Sequence, residues 1–328
     1  MSSGLVLLYH RVAELESDPQ LLAVSPERFT QHLDVLDHDC HPMSLTELMT
    51  RQRERRLPRR AVAVTFDDGY ADNGDGGRHV LARLGIPAAI FVVTAYLGGL
   101  RELWWDDLER LLLLPGRLPE TLRLRLGVTV HEWNLGEPAT YTENDWRHHA
   151  TWNVECAEDP TSRHAVYRTL CTMLRMTTPQ EREAALDGLA EMAGSTSTGR
   201  STHRAMSDET LARLAQDRLV EVGAHTVTHP VLAALSADAQ RAEIAGSKSR
   251  LEEVTGRAVT SFAYPFGGRA DYTPATVALV RESGFTDGWA NIPGLVRPAG
   301  DQFQLPRVLV RNWDPDTFAR RLRGWFRD

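Results

Sequence analysis

With 328 residues, 42% of them hydrophobic and 25% charged, the chain has enough apolar material for one large α/β barrel or two ordinary domains, which excludes the disordered class. A net charge of -7, with basic residues spread along the chain apart from 51–60, gives no reason to expect nucleic-acid binding. Cys40, Cys156 and Cys171 are too few and too irregularly spaced for a disulfide framework or a zinc cluster, so a reducing compartment is expected.

The chain opens MSSGLVLLYHRV, without a basic leader, and its apolar run stops at His10. A run that short spans no membrane, and a soluble, cytoplasmic protein is the expectation. Residues 4–10 read as a first strand with a polar Tyr-His-Arg tip. Ser25 before Pro26 starts a helix to about Leu36, and Ser44 with Glu47 has capping-box spacing for a second, short helix. The arginine-rich run RQRERRLPRR at 51–60 reads as a solvated helix end and loop. Next comes AVAVTFDDGY at 61–70, a buried strand running into two adjacent carboxylates and a glycine. A helix over about 72–84, closed by Gly85, and a strand at 88–93 continue the alternation of parallel βα units.

Residues 97–204 break that rhythm. An amphipathic helix at 102–114, an alternating hairpin pattern from Leu122 to Val130, and helices at 162–175 and 179–192 are expected, followed by a polar linker at 194–203. The chain therefore divides into a first barrel part at 1–96, an inserted or lid-like subdomain at 97–205 and a second barrel part at 206–328. In that last part Ser207 caps a helix, 219–223 is a strand leading into AHTVTHP, and 236–254 is a helix stopped at Gly256. Strands at 259–264, 285–290 and 303–310 and helices from Pro274 and Pro315 complete about seven units.

His225 and His229 follow a strand, as Asp67 and Asp68 do, and Pro230 disfavours helical geometry at His229. Two imidazoles and one carboxylate make a three-ligand, open-position site of the hydrolytic type, and the second carboxylate is then free to act as general base. In parallel α/β folds the carboxyl ends of strands share one face, so tips at His10, Asp67, His225, Tyr264 and Asp287 are expected to converge.

TFDDGY at 65–70, HTVTH at 225–229 and FAYPFG at 262–267 resemble the successive signatures of the polysaccharide deacetylases, the NodB-homology group of family-four carbohydrate esterases. LYHRV at 8–12 and LPRV at 305–308 resemble a branch associated with surface-glycan clusters. The resemblance implies a distorted (β/α)7 barrel that hydrolyses an N-acetyl group, usually on an amino sugar. It implies Asp68, His225 and His229 as ligands of one divalent ion, with Zn2+ the leading candidate and Co2+ or Ni2+ also accepted, and Asp67 as the base. Phe266 matches the residue whose backbone N–H helps hold the oxyanion, with Tyr264 and Pro265 shaping its loop. Asp287 and Trp289, in TDGW, resemble the fourth motif, Trp289 as a wall of the acetyl pocket or as a core aromatic.

Two positions depart from that pattern. Ala263 stands where the family carries an arginine that tethers the base, and Arg307 stands where it carries a histidine acid. Arginine stays protonated and cannot be the proton donor. Arg307 is therefore expected to supply the missing tether, pairing with Asp67 or Asp287, and His10 is the candidate acid, against a purely structural hydrogen-bonding role for it. The substrate expected is an N-acetylated carbohydrate, with no nucleic acid and no membrane span. A small-molecule amidohydrolase and a non-catalytic glycan-binding barrel are the rival readings.

Overall fold

The computed structural model describes residues 3–196 and 198–327. Two compact units emerge. One comprises Met1–Glu14, Leu22–Gly98 and Met206–Asp328, and the other comprises Leu15–Leu21 and Gly99–Ala205. The second unit takes in a short stretch that follows the first strand.

The first unit is built on seven strands, β1 (Gly4–Tyr9), β2 (Ala61–Phe66), β3 (Ala88–Val92), β4 (Val220–Ala224), β5 (Ser261–Ala263), β6 (Asp287–Trp289) and β7 (Val308–Leu309). They lie side by side in the order β6-β5-β4-β3-β2-β1-β7, every pairing parallel, and the two-residue strand His41–Pro42 also pairs with the start of β2. The sheet curls until its edges approach. Leu305, just before β7, forms a parallel bridge with Trp289 of β6, Ala290 N donates to Leu305 O at 2.8 Å, and Leu305 N donates to Gly288 O at 2.8 Å. This is the curled, helix-covered parallel barrel of the (β/α)7 class.

β1, β2 and β3 are buried along their whole length, the behaviour of strands covered on both faces. Because side chains alternate, Val62 and Val64 face the helices with Phe29 and Leu33, while Val6, Ala61, Ala63, Ala89, Phe91, Ala263, Trp289 and Leu305 fill the barrel interior. Five of those strand residues are alanine or valine, which leaves room for the one tryptophan.

The helix starts follow the capping chemistry. Ser25, Ser44, Ser207, Ser236 and Asp314 each accept a backbone N–H of the first turn, and Pro26, Pro274 and Pro315 stand at first helical positions. One expectation is corrected. Instead of a continuous helix over 72–84, Asn73–Gly77 forms a π turn and the α-helix is only Arg78–Leu84. The NGDGG run has no good helix former to hold a regular i to i-4 ladder. Strands β5, β6 and β7 are also shorter than their apolar patterns suggest.

The second unit contains the helix Trp104–Leu112, the hairpin Thr121–Leu126 with Thr129–Asn134, and the helices Glu143–His149, Ser162–Arg175 and Pro179–Met192. The short helix Glu143–His149, with its Thr142–Asp145 capping box, is an element that periodicity did not reveal. Arg163, fully buried, donates to the carbonyls of Leu112, Gly116, Pro138 and Ala139, so one guanidinium satisfies a helix end and two loops. Glu102 and Glu109 share Arg200, each at 2.8 Å from its Nη2. Among the described residues no helix is long and apolar enough to cross a membrane.

Candidate metal centre

The carboxyl ends of the strands carry the residues singled out above. Asp67 follows β2, and its N–H donates to Tyr9 O at 3.0 Å; His225 follows β4, and its N–H donates to Val92 O at 3.1 Å. Alternation along β2 puts Ala61, Ala63, Thr65 and Asp67 on the inner side, so the Asp67 carboxyl points into the barrel mouth while the chain turns at Asp68.

Asp68, His225 and His229 each offer one ligand atom, and the three atoms lie within 4.8 Å of one another. Asp68 Oδ1 is 3.7 Å from His225 Nε2 and 3.6 Å from His229 Nε2. Ligands held about 2.0–2.1 Å from a tetrahedral ion stand about 3.3–3.4 Å apart, so this spacing closes on an ion with little adjustment. His225 Nδ1 lies 2.8 Å from Ala263 O, a carbonyl that can only accept. The proton therefore sits on Nδ1, and Nε2 presents its lone pair to the cluster. Burial pushes the His225 imidazole below its ordinary value, while the Asp67 charge and the Ala263 carbonyl pull the other way and the nearby Arg307 charge adds to the lowering. Two imidazoles and one carboxylate form a donor set that suits a divalent ion such as Zn2+.

Asp67, 3% exposed, has Oδ2 at 3.7 Å from His225 Nε2. Arg307, fully buried and directly before β7, meets it: Nη1 donates to Asp67 Oδ1 at 2.6 Å and Nη2 to Oδ2 at 2.7 Å. The remaining donors reach Thr65 Oγ1 at 3.3 Å and Ala290 O at 3.2 Å, and the guanidinium lies over the Phe91 ring at 5.2 Å. Burial is the largest influence and would raise the Asp67 carboxyl, but the charge and hydrogen bonds of Arg307 together with the charges of His225 and His10 outweigh it, and the net direction is down. Arg307 and Leu305 share the inner face two residues apart, and the small Ala263 leaves the interior open to this side chain.

His10 stands at the tip of β1 beside Asp67. Burial pushes its imidazole down to about 4; the Asp67 charge opposes this, and Arg311, Arg307 and His225 add to it. It rests neutral at neutral pH. The chain around it is clamped: Asn73 Nδ2 donates to His10 O at 2.8 Å, and Arg11 pairs with Asp72 at 2.9 Å while lying over the Tyr70 ring.

Phe266 sits edge-on to His229, ring centroids 4.7 Å apart, with φ +59. Tyr264 is buried, stacked on Tyr272 at 4.1 Å, and its hydroxyl donates to Phe303 O at 2.8 Å, so it braces the loop that holds buried Pro265. Asp287 is placed differently from expectation. It begins β6, level with Ser261 rather than at a carboxyl tip, and accepts from Trp289 Nε1 at 2.6 Å and Thr286 Oγ1 at 2.8 Å. Trp289 is fully buried in the barrel interior. The pair is a core feature, Asp287 satisfying the buried indole N–H, and Arg307 meets Asp67 instead of Asp287.

One signal had no counterpart in the sequence. Seven described non-glycine residues have positive φ, and four of them, Asp68, Thr226, His229 and Phe266, lie at this site. For β-branched Thr226, at +67, that conformation is an outlier. Strain gathered at strand tips marks a segment selected for something other than stability. A surface cavity lined by Glu221, Arg257 and Ser261 opens at the amino ends of β4 and β5, away from Asp67, and plays no part here.

Comparison with known proteins agrees with the geometry. The polysaccharide deacetylase family model matches residues 190–287. The Bacillus subtilis (strain 168) protein YxkH, named as a polysaccharide deacetylase, is 30% identical over 110 residues, which are 32% of this chain and 37% of that relative's length. IcaB from Ammonifex degensii superposes with a TM-score of 0.60 at 20% identity, covering 100% of this chain and 98% of its own. The deacetylase PplD of Streptococcus pyogenes, solved in complex with acetate, superposes with a TM-score of 0.55 at 17% identity over 97% of both chains. The matched segment makes part of the chain similar to the polysaccharide deacetylases, and the superpositions show that the whole chain shares the fold of solved deacetylases.

Proposed function

We propose that the protein removes the acetyl group from an N-acetylated amino sugar by hydrolysis, with Asp68, His225 and His229 holding one divalent ion, Zn2+ foremost. The observation that carries this reading is the meeting of that three-ligand cluster with a buried, arginine-paired carboxylate, Asp67, 3.7 Å from His225 Nε2. When bound, the ion would polarise the acetyl carbonyl and acidify water. Asp67 takes the proton as water oxygen bonds to the acetyl carbon, and Arg307 keeps that carboxylate ionised and aimed. The Phe266 backbone N–H is the donor assigned to the developing oxyanion, worth about 3–4 kcal/mol in comparable sites. When the carbon–nitrogen bond breaks, the proton held at Asp67 passes to the leaving nitrogen, and His10, neutral at rest, is the relay assigned to it. Acetate, the small molecule bound to PplD, is the acid product of such a reaction.

The test is acetate release from N-acetylated glycosides, sugar nucleotides and short oligomers by protein stripped with a chelator and reloaded with Zn2+, Co2+ or Ni2+. Release that requires the ion and is lost in Asp67→Asn supports the reading. A well-folded, metal-loaded protein that releases no acetate from any of them would overturn it.

A further inference from the structure

We propose that Glu243 is a positioning residue for the metal centre, whose carboxylate clamps the loop at 225–229 in the conformation that brings His225 and His229 together and thereby sets the affinity for the ion. This rests on the metal reading above. Glu243 lies on the buried face of the helix Ala237–Thr255, 8% exposed. Its Oε2 accepts the backbone N–H groups of Val227 and Thr228, both at 2.8 Å, and its Oε1 accepts the Thr228 hydroxyl at 2.7 Å. Those groups occupy the middle of His-Thr-Val-Thr-His, between the two imidazoles.

The loop needs such a restraint. Thr226 at φ +67 and His229 at φ +56 both sit in left-handed backbone, each costing about 1–2 kcal/mol in a residue with a side chain. Strained backbone persists only where its surroundings over-determine it. Here Thr226 Oγ1 accepts His229 N–H at 3.0 Å, and the N–H groups of Thr94 and Ala95 donate to the carbonyls of Thr226 and Val227 at 3.2 and 2.8 Å. Those bonds hold one side of the loop, and the Glu243 carboxylate gathers the N–H groups of the other. Hydrogen bonds to an ionised acceptor are roughly twice as strong as neutral ones. The helix also comes close: a Cβ at Gly246, one turn on, would stand 3.2 Å from Val227 Cγ2. Without the carboxylate the two N–H groups lose their buried partner, the left-handed residues can relax, and the Nε2 atoms no longer converge on Asp68.

Zn2+ affinity measured by competition with a chromophoric chelator, together with the visible spectrum of the Co2+-loaded protein, tests the clamp. Glu243→Leu should bind Zn2+ about 10- to 100-fold more weakly, with an altered Co2+ spectrum, the range seen when outer-shell partners of metal ligands are removed. Glu243→Gln should stay within about threefold of wild type, because its amide oxygen still accepts both N–H groups and its NH2 donates to the Thr228 hydroxyl. A folded Leu variant that binds like wild type, or a Gln variant as weak as Leu, overturns the clamp. Should the Leu variant fail to fold, Thr228→Val reads the hydroxyl arm alone. An affinity about three- to tenfold weaker supports the proposal, and an unchanged one overturns it. A wild-type protein that takes up neither ion overturns the metal reading and this inference together, an outcome distinct from a binding wild type matched by its Leu variant.

Discussion

Arg307 and Asp67, 240 residues apart in the chain, meet as a buried two-point ion pair, each Nη on its own carboxylate oxygen at 2.6 and 2.7 Å. The family pattern places an arginine at the position Ala263 occupies, and here an arginine reaches Asp67 from the residue just before the last strand of the barrel. Two-point geometry fixes the plane of the carboxylate as well as its charge, which a single lysine cannot do.

Arg307→Lys should therefore retain fold and charge while kcat falls about 100-fold, the scale of a displacement of the reacting group by about 1 Å. Arg307→Leu leaves Asp67 buried without its partner, which should cost about 3–5 kcal/mol. The pH dependence follows from the direction of the Asp67 shift, which is downward in the folded protein. Its contribution to stability is present above the unfolded carboxylate value of about 3.9 and is lost as pH falls through the lower folded value. In Arg307→Leu burial is no longer opposed in this way, so acid unfolding and the acid limb of kcat/KM should both move to higher pH. Urea midpoints from pH 3 to 7 and a pH–rate profile that match wild type would remove Arg307 from this role.

His10 titrates the other way round from a salt-bridged histidine. Its folded value, about 4, lies below the ordinary 6.5, so the folded protein takes up its proton less readily than the unfolded chain. Stability from this group is full above about 6.5 and declines as pH falls toward 4. His10→Gln should flatten the stability profile across that window and lower kcat about 100-fold with little change in KM. A variant with wild-type kcat would take His10 out of the proton transfer.

Metal should behave as a folding ligand as well as a catalytic one. Stripping with a chelator should abolish acetate release and lower Tm, and Zn2+ at 100 times its Kd should restore about 2.7 kcal/mol. Asp68→Asn and His229→Gln should each lose both the thermal shift and the bound ion, read by metal analysis of the purified protein. A Tm that ignores Zn2+ in wild type counts against the site.

Gly267→Ala should damage the loop that carries Phe266. Gly267 has φ +69, and a Cβ there would stand 2.5 Å from Asn291 N, which donates to Gly267 O at 2.9 Å. Left-handed strain and displaced backbone together should cost about 2–3 kcal/mol and lower kcat more than they raise KM, because Phe266 is the neighbouring residue. Thermal denaturation and steady-state kinetics on the same variant check both halves.

The strand and helix rhythm, the capped helix starts and the residues Asp67, Asp68, His225, His229 and Phe266 were legible in the sequence, because hydrophobic period, capping and short motifs are local properties of the chain. The tertiary structure alone decided where distant groups meet. Sheet order and closure brought Arg307 across to Asp67, and register set Asp287 at the start of β6, where it serves the Trp289 indole. The positive φ of Thr226 and His229 and the Glu243 hydrogen bonds were equally invisible, since a β-branched residue in left-handed backbone runs against its own propensity. Only the packed barrel, with its neighbours imposing that conformation, makes it the stable one.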